Sequence, residues 1–156
     1  MSKEIIAVDL DEVVVHTAQR ILDYYEDNHG VRVPIEQYYD GDLQKWGGVP
    51  GDEVVRRLNA FIQTDEYFSI PPDDSASEGL ELLAARYSLH AVTGRPYFVE
   101  SATRRWAEQH LPNVFTDIIH TSHYLEGHDD GPAPHDVPAR DEPVPGDHGQ
   151  VGGPDL

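Results

Sequence analysis

Apolar residues recur with two different periods along the first 125 positions. Ile5-Ile6-Ala7-Val8 is a short run that ends abruptly in Asp9 and Asp11, after which Val13-Val14-Val15 resumes; it reads as a buried strand of a parallel sheet. Ala18, Ile21, Leu22 and Tyr25 then follow at helical spacing, which predicts a helix over 16–29 stopped by Gly30. Residues 31–51 show neither period: Tyr38, Tyr39 and Trp46 stand among Asp40, Asp42, Gly47 and Gly48, and an irregular aromatic stretch is expected. Val54, Val55, Leu58, Phe61 and Ile62 form the stripe of a second helix over about 52–64, with Asp52 near its positive end. Pro71-Pro72 breaks the chain.

Ser75 and Glu78 have capping-box spacing and open a third helix, with Leu80, Leu83, Ala84 and Tyr87 on one face. Strand character returns at Leu89-His90-Ala91-Val92, which runs into Thr93-Gly94-Arg95-Pro96. A helix over about 98–110 and a strand over Asp117–Thr121 follow. Strands alternating with helices predict a parallel α/β sheet. From residue 126 the pattern is lost: 126–156 hold six prolines, six glycines and six aspartates, with Val137, Val144, Val151 and Leu156 as the only aliphatic residues larger than alanine. Such a stretch buries too little to offset its ordering entropy and is expected to be a disordered tail.

Composition narrows the picture. The length of 156 residues suits one domain with a small insertion. The chain has no cysteine, which excludes disulfides and thiolate metal sites. Its formal charge is −18, of which −7 falls in 126–156. That field repels phosphate backbones and argues against nucleic acid as a partner. The opening Met1-Ser2-Lys3-Glu4 carries no signal-peptide pattern and no apolar run approaches membrane-spanning length, so a cytoplasmic protein with no membrane partner is expected.

Two strand ends carry polar constellations, Asp9-Leu10-Asp11-Glu12-Val13 and Val92-Thr93-Gly94-Arg95. In an open parallel sheet the ligand crevice lies beyond the carboxyl ends of the strands. Paired carboxylates there bind a divalent cation or do nucleophilic and proton-transfer work, whereas on their own they would equally suit a surface turn. A hydroxyl and the amides after a glycine can hold phosphate oxygens, with Mg²⁺ offsetting the charge between phosphate and carboxylates. Arg95 suits either a phosphate contact or a pairing with surface acids. Tyr38, Tyr39, Trp46, Tyr67 and Phe68 suit either a base-stacking wall or core packing, with packing favoured. His120, His123 and His128 read as packing or solvated histidines rather than a metal site.

At these residues the chain resembles the haloacid dehalogenase (HAD) superfamily of phosphohydrolases. Asp9, Asp11 and Val13 meet its first motif, and Leu89 to Thr93 its second. The resemblance implies a HAD-like α/β core over 1–15 and 73–125, a helical cap over 16–72 inserted after strand one, and the tail over 126–156. Within the superfamily, the cap and the stretch from Tyr39-Asp40 to Trp46-Gly47 are similar to the 5'(3')-deoxyribonucleotidase-like group. The implied roles are Asp9 as nucleophile and Mg²⁺ ligand, Asp11 as general acid/base with its carbonyl serving the metal, and Thr93, Gly94 and Arg95 at the phosphate. The implied partner is a small phosphorylated metabolite such as a nucleotide.

The family's third motif, a lysine, and its fourth, an acidic pair on a further strand, find no match. Lys3 and Lys45 both precede motif two, Asp129-Asp130 follows the third strand directly, and Asp141-Glu142 lies among prolines with Arg140. The alternative is therefore a catalytically impaired remnant that binds a ligand or protein. Without a fourth-motif strand, Ile5 to Val8 is expected to present an open sheet edge that invites a homodimer. The compositional switch suggests a frameshifted or alternatively spliced tail, and translating the other two reading frames past codon 125 tests that. Failure to find a lysine, a helix and a strand with paired acids sinks the idea.

Overall fold

The computed structural model describes residues 2–121. The expected tail, with Arg140 and its acidic pairs, lies outside them, as do His123 and His128. Three parallel strands, β1 (Ile5–Val8), β2 (Ser88–Thr93) and β3 (Phe115–His120), pair in the order β1-β2-β3. The register sets Val8 beside Ala91 and Thr93 beside His120, so the carboxyl ends of the strands share one edge of the sheet. β2 is central and buries Leu89, Ala91 and Thr93. Among the described residues β1 pairs on one side only, and Ile5 is 65 % exposed. The expectation of a buried first strand is thereby corrected, because no described element covers its outer side.

Between β1 and β2 the chain makes a helical insertion: α1 (Ala18–His29), α2 (Ile35–Asp40), a 3₁₀ turn (Leu43–Lys45), α3 (Gly51–Ile62) and α4 (Asp65–Phe68). Then α5 (Asp74–Ala84) leads into β2, and α6 (Glu100–His110) connects β2 to β3 after a 3₁₀ turn at Tyr97–Val99. Gly30 ends α1 in the left-handed conformation that a glycine adopts without cost, as its place after the stripe predicts. Residues 31–51 are more regular than their sequence suggests. Pro34 sets the start of α2 and left-handed Gly41 its end, and six residues are too few to show a period. The cap of α5 is Asp73 rather than Ser75: its carboxylate accepts the amides of Ser75 and Ala76. Asp73 is itself extended, and the helix begins at the residue after it.

Two hydrophobic clusters result. One lies against the sheet and includes Leu10, Val14, Val15, Leu80, Leu89 and Trp106. The other is internal to the insertion and includes Ile21, Tyr25, Trp46, Val54, Phe61 and Tyr67. Phe68 and Ile70 pack against both. The Trp106 indole N–H donates to the Ile70 carbonyl at 2.8 Å, and the Asp73 amide donates to the Val14 carbonyl at 2.8 Å, where the insertion leaves and rejoins the sheet layer.

Candidate active site

The loop after β1 is folded around Leu10. Its side chain is fully buried, and its carbonyl accepts the amides of Val13, Val14 and Val15 at 3.4, 2.8 and 3.0 Å. The tight turn forces Glu12 to a φ of 60°, left-handed backbone that costs a non-glycine residue about 1–2 kcal/mol. Three bonds hold it there. The Glu12 amide donates to the Val15 carbonyl at 2.8 Å, its Oε1 accepts the Ala18 amide at 2.7 Å, and its Oε2 accepts the Tyr39 hydroxyl at 3.1 Å. Glu12 thus caps α1; the Thr17 side chain makes no cap hydrogen bond, and its hydroxyl donates to Asp11 Oδ1 at 3.2 Å.

The two aspartates differ in setting. Asp9 is exposed, and its Oδ1 accepts the adjacent Leu10 amide at 2.7 Å. Asp11 is partly buried and ringed by donors. Arg95 meets it with a fork, Nε to Oδ2 at 2.9 Å and Nη2 to Oδ1 at 2.8 Å. The Tyr67 hydroxyl donates to Oδ1 at 3.2 Å, and Thr93 Oγ1 lies 3.5 Å from Oδ2. Burial first, and then the charge of Asp11, push the Tyr67 phenol well above its ordinary pKa, so it stays protonated and donating. The same two causes, joined by Glu12, push Tyr38 up to about 12.

Arg95 is 6 % exposed, although the sequence left it open to surface pairing. Its guanidinium lies over Tyr67, Phe68 and Trp106, with ring centroids 5.2, 5.8 and 5.5 Å away. With Nε and Nη2 on Asp11, Nη1 is the remaining guanidinium nitrogen, buried and without a described hydrogen-bond partner. Thr93 is buried at the tip of β2; its hydroxyl accepts the Arg95 amide at 3.2 Å, and its carbonyl accepts the amide and hydroxyl of Thr121 at 2.8 and 3.2 Å. Gly94 follows, half-buried. His120 is buried, with Nδ1 3.0 Å from the Arg95 carbonyl; a carbonyl only accepts, so Nδ1 carries the proton. It is a packing histidine.

Asp9, Asp11, Thr93 and Arg95 are therefore gathered at two adjacent strand ends. Glu12, Thr17 and Tyr67 belong to the same network, which sequence reasoning did not assign. Of the aromatics, Trp46 and Tyr67 are buried in the insertion, while Tyr39 is 62 % exposed above Glu12. Among the described residues no group of three or more His, Asp or Glu side chains converges on a metal position. The donors that remain are hard oxygens: the exposed Asp9 carboxylate and the Asp11 carbonyl, which accepts no described hydrogen bond. This set fits Mg²⁺, which keeps several waters and takes one or two carboxylates plus substrate phosphate.

Residues 3–127 match the family described as 5' nucleotidase, deoxy (pyrimidine), cytosolic type C protein, and the chain belongs to that family. No curated protein matches the chain. Among solved structures, a haloacid dehalogenase-like hydrolase from Streptococcus pneumoniae is similar at a TM-score of 0.55 and 18 % identity, over 75 % of this chain and 60 % of that one. A Clostridium difficile protein described as a phosphatase is similar at a TM-score of 0.52 and 17 % identity, over 77 % of this chain and 61 % of that one. The fold is thus HAD-like, and the chain spans about three fifths of the length of these two structures. No described helix is long and apolar enough to cross a membrane.

Proposed function

We propose that the chain is a Mg²⁺-dependent phosphomonoester hydrolase of the cytoplasm, acting on a small substrate such as a (deoxy)nucleoside monophosphate. The observation that carries this reading is one juxtaposition. An exposed carboxylate, Asp9, stands at one strand end, and a donor-held carboxylate, Asp11, reaches toward Thr93 at the next. Membership of a nucleotidase family supports the substrate class.

In this mechanism an Asp9 oxygen attacks phosphorus, and the bond from phosphorus to the ester oxygen breaks. Asp11 gives that oxygen a proton as it leaves. Asp11 then takes a proton from water as the water oxygen attacks the aspartyl phosphate, which releases phosphate and restores the Asp9 carboxylate. Thr93 and the Gly94 amide hold the phosphate oxygens in both steps. Mg²⁺, held by the Asp9 carboxylate and the Asp11 carbonyl, would supply shielding between the two anions. The insertion serves as a cap over 16–72.

One observation favours the second reading, a ligand-binding remnant: both Asp11 oxygens are occupied by Arg95. Phosphate release from deoxynucleoside monophosphates and from an aryl phosphate, with and without Mg²⁺, separates the two. The enzyme predicts turnover that disappears in Asp9→Asn. A folded chain with no turnover under any of these conditions establishes the remnant.

A further inference from the structure

We propose that Arg95 is a positioning residue, and that it fixes Asp11 so that Oδ2 rather than Oδ1 handles the proton. The inference rests on the reading of Asp11 as acid/base and deepens it. A carboxylate offers about four lone-pair positions, two on each oxygen. Oδ1 accepts from Arg95 Nη2 at 2.8 Å, from Thr17 at 3.2 Å and from Tyr67 at 3.2 Å. Three donors on one oxygen leave it no capacity for a proton. Oδ2 accepts from Arg95 Nε at 2.9 Å, and its other neighbour is the Thr93 hydroxyl at 3.5 Å, the outer limit of a hydrogen bond. The second lone pair of Oδ2 has no donor nearer than the Thr93 hydroxyl at 3.5 Å, and it belongs to the oxygen nearest that proposed phosphate-holding group.

Arg95 is built to hold this arrangement. Its amide is tied to Thr93 Oγ1 and its carbonyl to His120, so its backbone is fixed by two strand ends. Its guanidinium plane is fixed by rings from the insertion (Tyr67, Phe68) and from α6 (Trp106). A rigid two-donor fork sets both the position and the tilt of a carboxylate, which a lysine, as a point charge, cannot do. The proton then travels between Oδ2 and the leaving oxygen in the first step, and between water and Oδ2 in the second.

The rival role is a purely structural ion pair, and leaving-group dependence separates the two. The full chain with Mg²⁺ is assayed on phosphomonoesters whose leaving groups run from p-nitrophenol to a primary alcohol. An acidic phenol departs without a proton, whereas an alcohol needs one. Arg95→Lys is expected to lower kcat/KM, which reports the first step alone, by about 10²-fold on the alkyl ester and little on the aryl ester. Asp11→Asn should show the same selectivity, and adding Arg95→Lys to it should cost nothing more. Tyr67→Phe, which removes one donor and leaves no charge unpaired, loosens the tilt of the Asp11 carboxylate and should lower only the alkyl kcat/KM, by severalfold. It keeps the test decisive if Arg95→Lys does not fold, as judged by circular dichroism. Uniform losses of kcat/KM across leaving groups, or losses additive with Asp11→Asn, overturn the proposal. If Asp9→Asn leaves turnover intact, the hydrolase reading falls and takes this inference with it. If Asp9→Asn is inactive but Arg95→Lys and Tyr67→Phe match the wild type, this inference alone falls.

Discussion

The sheet layer and the helical insertion are held together by different chemistry. The sheet layer is mainly aliphatic: Leu10, Val14, Val15, Leu80 and Leu89, joined by Trp106, pack against a ladder of backbone hydrogen bonds. The insertion has no strand, and rings pair with one another among Ile21, Leu22, Val54 and Ile62. Tyr24 stacks on Phe61 at 4.2 Å, Tyr25 meets Trp46 edge-on at 5.3 Å, and Phe61 meets Tyr67 edge-on at 5.6 Å. An aliphatic layer tolerates a change of shape if volume is kept, whereas ring pairs also have preferred geometries worth about 0.5–1.5 kcal/mol beyond their area. The candidate site lies at the seam, where Arg95 is enclosed by rings from both regions.

Four substitutions would sharpen or break this contrast. The largest effect is expected for Trp46→Ala, which empties the centre of the insertion and should cost about 3–5 kcal/mol in urea unfolding. Amide exchange should then rise in α1 and α3 before it rises in β2; equal loss in both would show that the two clusters unfold as one. Leu89→Ala in the central strand should cost about 2–5 kcal/mol by the same measurement, with protection lost in both regions together. Tyr24→Leu keeps much of the volume but loses the stack on Phe61, and a loss of about 1 kcal/mol is expected. A neutral result would remove ring geometry from the account of the insertion.

The smallest effect concerns Glu53 on α3. Hydrogen bonds from Arg56 and then Arg57 lower its carboxyl from an ordinary 4.5 to about 2. A carboxyl depressed on folding adds stability above its unfolded pKa, and that stability is lost as pH falls from about 4.5 towards 2. Because the Glu53–arginine pairs lie at the surface within reach of water, the contribution is small. Glu53→Gln should flatten the melting-temperature profile in that interval and leave it unchanged near neutrality. An unaltered acid limb would mean that the pair contributes nothing measurable.

The same contrast explains what was legible in the sequence. Strands and long helices announce themselves through local period, so β1, β2, β3, α1 and α3 lie within a few residues of expectation. The short α2 and α4 do not, since one or two turns cannot display a stripe. Asp9, Asp11 and Thr93 could be read because each stands at the end of an apolar run. The partners of Asp11 could not: Tyr67 and Arg95 lie 56 and 84 positions away, and only the folded seam brings them to it. Glu12 escaped notice because it caps α1 from six residues before the amide it accepts, a spacing unlike the usual capping motif.

The single bond between the Asp73 amide and the Val14 carbonyl has a consequence for how the chain can vary. It pins the exit and the return of the insertion to one point, so everything between them is a closed loop in the polymer sense. Closing a loop grows dearer only logarithmically with its length, by about 0.6 kcal/mol for each doubling. Residues can therefore be added to or taken from the insertion with little strain reaching the register of β1 against β2. The aspartates at the tip of β1 keep their place while the structure above them is free to change size.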